Sequence, residues 1–446
     1  MNAPLTSPLT SSLEGPGFPS RRRFLVGGLA AGATTVLAAC SVTGVAAPKG
    51  SSGKGTGVVN VLFMQQAGYS TKDIDAMTAG FVKQNPDIKI VPAFVAYEAL
   101  HDKTVTAAAA GTYDVVLIDV IWPAEFGSKS IVADVTSRYP ASWQQSMLGG
   151  ALLTAEYDHK FYGVPWGMDT KFFYYNEALL TKAHVDPASL ETWTGVLDAA
   201  RALKRTGTVQ YPLAWSWSQA EAIMCDYTQL VGAFGGSFLD ASGKLAINQG
   251  GAVEALDWMR KTIVDGLSNP ASTTFLEQDV EKTMNNGQAA MGLNWTYYLG
   301  SSNTPANSKV VGQIHVAQTP AGPTGKRPGV NGAMALSVSA GSKNQDAAWK
   351  YIEWLTAEAQ VDPFAMDTLP VWRSSFSTPS VTANAPATFA AAAKQLDDMI
   401  VRPQVVNYNA ISKIIQVELQ NALLGRKTSQ KALDDAVASA APLMAS

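Results

Sequence analysis

The stretch from Phe161 to Asn176, FYGVPWGMDTKFFYYN, restricts what this chain can fold into more than any other. Gly163, Pro165 and Gly167 interrupt a run dense in aromatic side chains, and β-prone chain resumes from Phe172 to Tyr175. A solvent-facing strand would not carry so many rings, and a sealed core would not want Asp169 and Lys171. The segment fits a crossing between two lobes that also lines the cleft between them. A buried strand beside a polar turn is the competing arrangement.

The chain has 446 residues, 47% hydrophobic and 15% charged, enough for two or three cores at ~150 residues each. A net charge of -3 supplies no basic field for a nucleic-acid backbone. The 11 Trp suit a protein that stacks something flat on exposed rings, and they suit core packing as well. Neither of the two cysteines, Cys40 and Cys225, nor any of His101, His159, His184 and His315 sits at metal-ligand spacing from another. No G-x-S-x-G elbow, Walker loop or H-E-x-x-H occurs. Metal, cofactor and catalytic residue are all expected to be absent.

Ser20-Arg21-Arg22-Arg23-Phe24-Leu25 followed by a weakly apolar run from Val26 to Ala39 resembles a twin-arginine export signal. Leu37-Ala38-Ala39-Cys40 resembles a bacterial lipobox, with Cys40 the site of lipid attachment and the first mature residue. Phe24 to Ala39 is short of the ~20 residues that span a bilayer. Residues 40–56 read as a Gly/Ser-rich tether. Export, lipid anchoring and an extracytoplasmic, periplasmic or cell-surface location follow. No later stretch is long and apolar enough to span a membrane.

The body alternates strand and helix. Val58 to Met64 reads as a buried strand, Thr71 to Gln84 as a helix capped by Ser70, Ile88 to Val91 as a strand, Tyr97 to Ala110 as a helix and Tyr113 to Ile118 as a strand. Such alternation implies a parallel, doubly wound sheet, whose strand ends gather ligands. Gln65, Gln66, Asp119 and Trp122 lie just past predicted strand ends. Farther on, helices are expected at Leu190 to Lys204, Ala220 to Phe234, Ala252 to Val264, Phe275 to Asn286 and Ser342 to Gln360. Strands are expected at Gly287 to Leu293 and Ala333 to Val338, with Leu369 to Phe376 extended and the C-terminal ~70 residues helical.

Several of these segments together resemble the extracellular solute-binding proteins of ABC sugar importers, the family that includes maltose- and trehalose-binding proteins. Tyr113-Asp114-Val115-Val116 with Asp119-Val120-Ile121-Trp122-Pro123-Ala124-Glu125-Phe126 is similar to the family's post-strand signature. Tyr162-Gly163-Val164-Pro165 through Tyr174-Tyr175-Asn176 resembles its first interdomain crossing. Thr192-Trp193, Gly287-Gln288-Ala289-Ala290-Met291 with Asn294-Trp295, and Ser342-Lys343-Asn344 with Ala347-Ala348-Trp349 are similar to later motifs in the same order. The resemblance implies a two-lobed α/β periplasmic-binding-protein fold, its doubly wound sheets joined by three crossings at Gly167–Thr170, Val330–Ala333 and Pro370–Ser374. It places an N-lobe at 57–167 plus 331–370 and a C-lobe at 168–330 plus 371–446. A monomer is expected, with a sugar ligand, permease subunits and a membrane anchor as partners.

Pyranose faces stack on rings, and their hydroxyls want paired donors and acceptors. Asp119 and Asp169 are therefore the expected hydroxyl readers, Trp122, Trp166, Trp295 and Tyr297 the stacking rings, and Gln65 and Gln66 further polar contacts. The resemblance adds Arg373 at the third crossing, Asn331 and Gly332 at the second, and Tyr408 on a C-terminal helix. Trp122 and Trp166 also suit hinge or core packing, and Asp119 suits a cap for a helix begun near Pro123. Trp215, Trp217 and Glu221 fit either the cleft rim or a surface loop. The function implied is capture of a sugar, a disaccharide such as trehalose or maltose, for delivery to a permease. A polyamine or glycerol phosphate receptor is a second reading. An exported carbohydrate-acting enzyme is a third, with Asp119 and Asp169 as its carboxylates.

Overall fold

The hydrophobic run that opens the folded body forms β1 (Gly57–Met64), whose Val59, Val61, Leu62 and Phe63 are buried. The computed structural model describes residues 57–65 and 68–444, so the export signal, Cys40, the tether and Gln66 lie outside it. Ser70 caps α1 (Thr71–Gln84) through a reciprocal capping box with Asp73, and Ile74, Met77 and Phe81 form its buried face. Then come β2 (Ile88–Val95), α2 (Tyr97–Ala108) and β3 (Val115–Asp119). The aromatic segment supplies β4 (Val164–Gly167) and β5 (Phe172–Asn176). Thr192 caps α3 (Trp193–Arg205), which buries Trp193, Val196, Ala200 and Leu203.

The middle of the chain builds β6 (Leu213–Ala214), α4 (Glu221–Ala233), α5 (Gly251–Val264) and α6 (Glu277–Asn285). It continues through β7 (Met291–Asn294), β8 (Ile314–Ala317), β9 (Gly329–Val330) and β10 (Met334–Val338). After α7 (Gln345–Thr356) come β11 (Met399–Ile400) and α8 (Tyr408–Leu423). The strands gather into a five-stranded sheet ordered β2-β1-β3-β10-β4 and a four-stranded sheet ordered β8-β5-β7-β6, one per lobe.

The first sheet is not parallel throughout, as strand-helix alternation suggested. β1 runs parallel to β2 and β3, whereas β10 runs antiparallel to β3 and β4. Only a βαβ crossover forces the parallel sense, and β4 and β10 reach the sheet by long excursions. Trp215 and Trp217 settle in the second core, their rings stacked 5.5 Å apart, and neither is on a rim.

Three segments meet between the sheets. Met168 and Leu369 exchange backbone bonds of 2.9 and 3.0 Å, Gly332 N–H donates to Asp169 O at 2.9 Å, and Thr170 bridges Asn331. A fourth segment joins them: β11 pairs in parallel with β9, and Asn331 N–H donates to Ile400 O at 2.9 Å. The passage expected at Pro370–Ser374 falls later. Val371 and Arg373 are hydrogen-bonded to Leu148 and Ser146, and the Trp372 indole donates to Thr356 O at 2.9 Å, all on the first lobe. Beyond them the helix Pro386–Gln395 reaches the second sheet, where Thr319 N–H donates to Gln395 at 2.8 Å.

Candidate ligand-binding cleft

The crossing itself forms the inner end of a cavity between the lobes. Asp169 stands there nearly buried, its Oδ1 accepting the Thr170 N–H at 2.8 Å, the Thr296 N–H at 3.1 Å and the Thr296 hydroxyl. Burial pushes its carboxyl up to about 7, against the pull of those donors. On the first-lobe side Trp166 and Tyr69 pack with ring centroids 4.6 Å apart, the Trp166 indole tethered to Leu355 O at 3.0 Å. Trp295 and Tyr297, delivered by the end of β7, face them from the second lobe.

Two charge clusters support these walls. Lys171, fully buried, lies 2.8 Å from Asp226 and 2.9 Å from Glu277. Burial opposes its charge, but the two carboxylates outweigh that and hold the ammonium protonated. Glu277 also accepts the Trp295 indole N–H at 3.2 Å, and Lys171 Nζ sits 5.2 Å from that ring's centroid. The second cluster centres on Arg402. Its Nη2 donates to Asp119 Oδ1 at 3.0 Å on the first lobe, and its Nη1 donates to Glu221 at 2.9 Å on the second. Tyr97 donates to Asp119, while Tyr408 and Ser412 donate to Glu221. Every oxygen of these two carboxylates therefore has a donor, which is what makes their burial tolerable.

Of the residues expected from the sequence, Asp119, Trp166, Asp169, Trp295, Tyr297 and Gly332 border the cavity together. Asp119 does not cap the helix Pro123–Ser128, which has no side-chain cap. Trp122 stands behind Tyr97, their rings stacked at 6.0 Å, and it packs on Phe126; no face is left for a ligand in this cavity. Asn331 is fully buried with its amide bonded to Gly150 O and Ala333 N–H, so it shapes the hinge. Arg373 is exposed on the first lobe and Gln65 is exposed beside β2, both away from the cavity. Tyr408 reaches it only through Glu221. Gln66 lies outside the described residues.

Sequence reasoning missed Arg402, Tyr97, Tyr69 and Glu277. For Arg402 a signal exists: a lone cation inside the apolar run Met399-Ile400-Val401-Arg402-Pro403 marks a charge that will be buried and paired. Nothing in the local sequence announces the burial that raises the Asp169 carboxyl. Among the described residues Cys225 is buried and free, with burial pushing its thiol up to about 12.

Residues 67–362 match the model of a family described as bacterial extracellular solute-binding protein. The chain belongs to that family. This solute-binding protein is 32% identical over 262 residues to a Deinococcus radiodurans protein named "Probable ABC transporter-binding protein", covering 56% of the chain and 59% of the relative. The chain thus spans less than two thirds of that relative's length. A binding protein of Brucella abortus (strain 2308) is 26% identical over 385 residues, 84% of the chain and 92% of the relative. Among solved structures, maltose-bound MalE3 of T. maritima superposes with a TM-score of 0.80 at 28% identity, covering 86% of this chain and 99% of that one. An Agrobacterium radiobacter K84 solute-binding protein in complex with ribitol shares the fold, with a TM-score of 0.77 at 22% identity over 86% and 98%. The two-lobed architecture is that of the family, whose members bind solutes outside the cytoplasm. Among the described residues no helix is long and apolar enough to cross a membrane.

Proposed function

We propose that this solute-binding protein captures a neutral sugar or polyol between its lobes and hands it to the permease of an ABC importer, without chemical turnover. One observation carries the reading: aromatic rings from both lobes and the hydrogen-bonding carboxylate of Asp169 converge on one cavity whose cation is already neutralised. A phosphate would have to draw Arg402 away from Asp119 and Glu221. A polyamine would have to compete with Arg402 and Lys171 for the carboxylates they hold. Hydroxyl groups need neither, because they can accept from and donate to groups that stay paired. The maltose and ribitol complexes of similar chains fit this class of ligand. The twin-arginine signal and lipidation at Cys40 belong to the same proposal and place the receptor at the outer face of the membrane. The mature chain would act there as a monomer.

Calorimetry against a panel of sugars and polyols, with product analysis on the same samples, tests this. Binding with the ligand recovered intact is expected; glycosidic cleavage, or no binding across the panel, would overturn it. Trp295→Ala should weaken binding by at least ~2 kcal/mol while the melting temperature stays close to that of the parent. An unchanged dissociation constant would remove Trp295 from the site.

A further inference from the structure

Asp169 uses its two carboxyl oxygens unequally. Oδ1 takes all three donors that reach the side chain: the Thr170 N–H, the Thr296 N–H and the Thr296 hydroxyl. Oδ2 accepts no hydrogen bond from any described residue, and the side chain, 6% exposed, borders the cavity with Trp166 and Trp295. A buried carboxylate with one oxygen unpaired is costly, and a proton on that oxygen relieves the cost.

The charged and titratable groups around it do not relieve it instead. Lys171, on the same crossing, is paired with Asp226 of α4 and Glu277 of α6. Arg402, past β11, is paired with Asp119 of β3 and Glu221 of α4. The hydroxyl of Tyr174 on β5 donates to Trp295 O at 2.9 Å, that of Tyr69 to Trp166 O at 3.3 Å, and that of Tyr97 to Asp119. Glu98, Cys225 and Tyr297 complete the titratable lining of the cavity. Among the described residues no cation stands within ion-pairing distance of Asp169, so the donor that Oδ2 lacks has to come from within the cavity.

We propose that solute and proton compete for Asp169 Oδ2, so that capture of a hydroxylated solute releases a proton to solution. The carboxyl O–H bond breaks, its proton passes to water, and a solute hydroxyl donates to the bared oxygen with charge-assisted strength. The proposal rests on the sugar-receptor reading above and adds a proton to its stoichiometry. Burial holds that proton until about pH 7. Because the solute binds the ionised form, affinity is full well above that pH and is lost as pH falls through it. Acidification outside the cytoplasm thus loosens the receptor's hold on its solute.

The test is calorimetry of the full chain against glucose, maltose and ribitol at pH 6, in phosphate and in imidazole buffers, whose heats of ionisation differ. Affinity is then followed from pH 5.5 to pH 8.5. Release of about one proton per bound solute at pH 6, and affinity lower by about tenfold or more at pH 5.5 than at pH 8.5, are expected. Asp169→Asn keeps an oxygen for the Thr170 and Thr296 donors but cannot ionise. It should release no proton, and its affinity should change less than about twofold over the same range. Thr296→Val removes a donor that favours the ionised carboxyl, so it should move the midpoint of the affinity profile to higher pH. Equal binding heats in the two buffers, or undiminished proton release from Asp169→Asn, would overturn the coupling and leave the receptor reading standing. Should Asp169→Asn fold poorly, Thr296→Val decides, and an unmoved midpoint would overturn the coupling. Silence with all three solutes and with the wider sugar panel would remove the receptor reading, and the coupling with it.

Discussion

A lysine with no exposure survives in this fold because two carboxylates meet it. Lys171 Nζ lies within 2.9 Å of both Asp226 and Glu277, and it donates to the Ser216 hydroxyl at 2.8 Å. Replacing it by methionine would leave two buried carboxylates facing each other. Lys171→Met should therefore cost about 3–5 kcal/mol in urea unfolding, and a loss under ~1 kcal/mol would show that the cluster adjusts without it. Asp169 is the converse case, a carboxyl whose burial favours the neutral form. Its pKa of about 7 in the folded chain lies above the ordinary value near 4, so the folded state holds the proton more tightly. That contribution is complete at pH below about 4 and is lost as pH rises toward and through about 7. Asp169→Asn cannot ionise, so its stability deficit relative to the parent should shrink between pH 5 and pH 8. Equal deficits at the two values would show that the parent carboxyl does not titrate in this range. The awkwardness of both residues was legible in the sequence, since each stands alone among large rings. Their opposite solutions were not, because the partners lie on α4, α6 and the chain after β7.

At the level of elements, the crossings depend on close backbone approach. A Cβ on Gly163 would come within 2.8 Å of the Leu336 carbonyl oxygen of β10, and one on Gly332 would fall on the Trp295 ring. Gly332→Ala must therefore push that ring out of place. We expect a loss of about 1–3 kcal/mol in stability together with weaker ligand binding by calorimetry. Binding unchanged at full strength would mean that the ring's position is not what the ligand reads. Helices with clear periodicity and caps followed their sequence closely: α1 begins and ends where its Ser70 cap and Asn85-Pro86 stop indicate. Helix Ser342 to Gln360 did not, ending as α7 at Thr356 before a separate short turn at Glu358–Val361. Ala357 is extended there and interrupts an apolar pattern that continues past it. Leu369 to Phe376 is expected from the sequence to be extended, but it turns into a short 3-10 helix at Ser374–Ser377, and hydrogen bonds to Ser146 and Leu148 keep its middle on the first lobe.

For the whole molecule, Arg402 is the side chain that ties the lobes and hinge together. It is nearly fully buried, pairs with Asp119 on one lobe and Glu221 on the other, and sits just past the β11 segment that meets the second crossing. Removing its charge leaves two carboxylates opposed across the cleft, and their repulsion favours opening. Ligand-free Arg402→Gln should show a larger radius of gyration than the parent by small-angle X-ray scattering, with the difference reduced by saturating ligand. Identical profiles without ligand would show that this pair does not hold the cleft closed. By itself the sequence determined the strands and helices with strong local patterns, the aromatic crossing, and the family through ordered short motifs. Those signals act over a few residues, where periodicity, caps and Pro/Gly breaks impose conformation directly. Only the tertiary structure decided which polar groups share a site. Arg402 and Asp119 stand 283 positions apart, and the need to neutralise a buried charge names no partner until the fold brings one within reach.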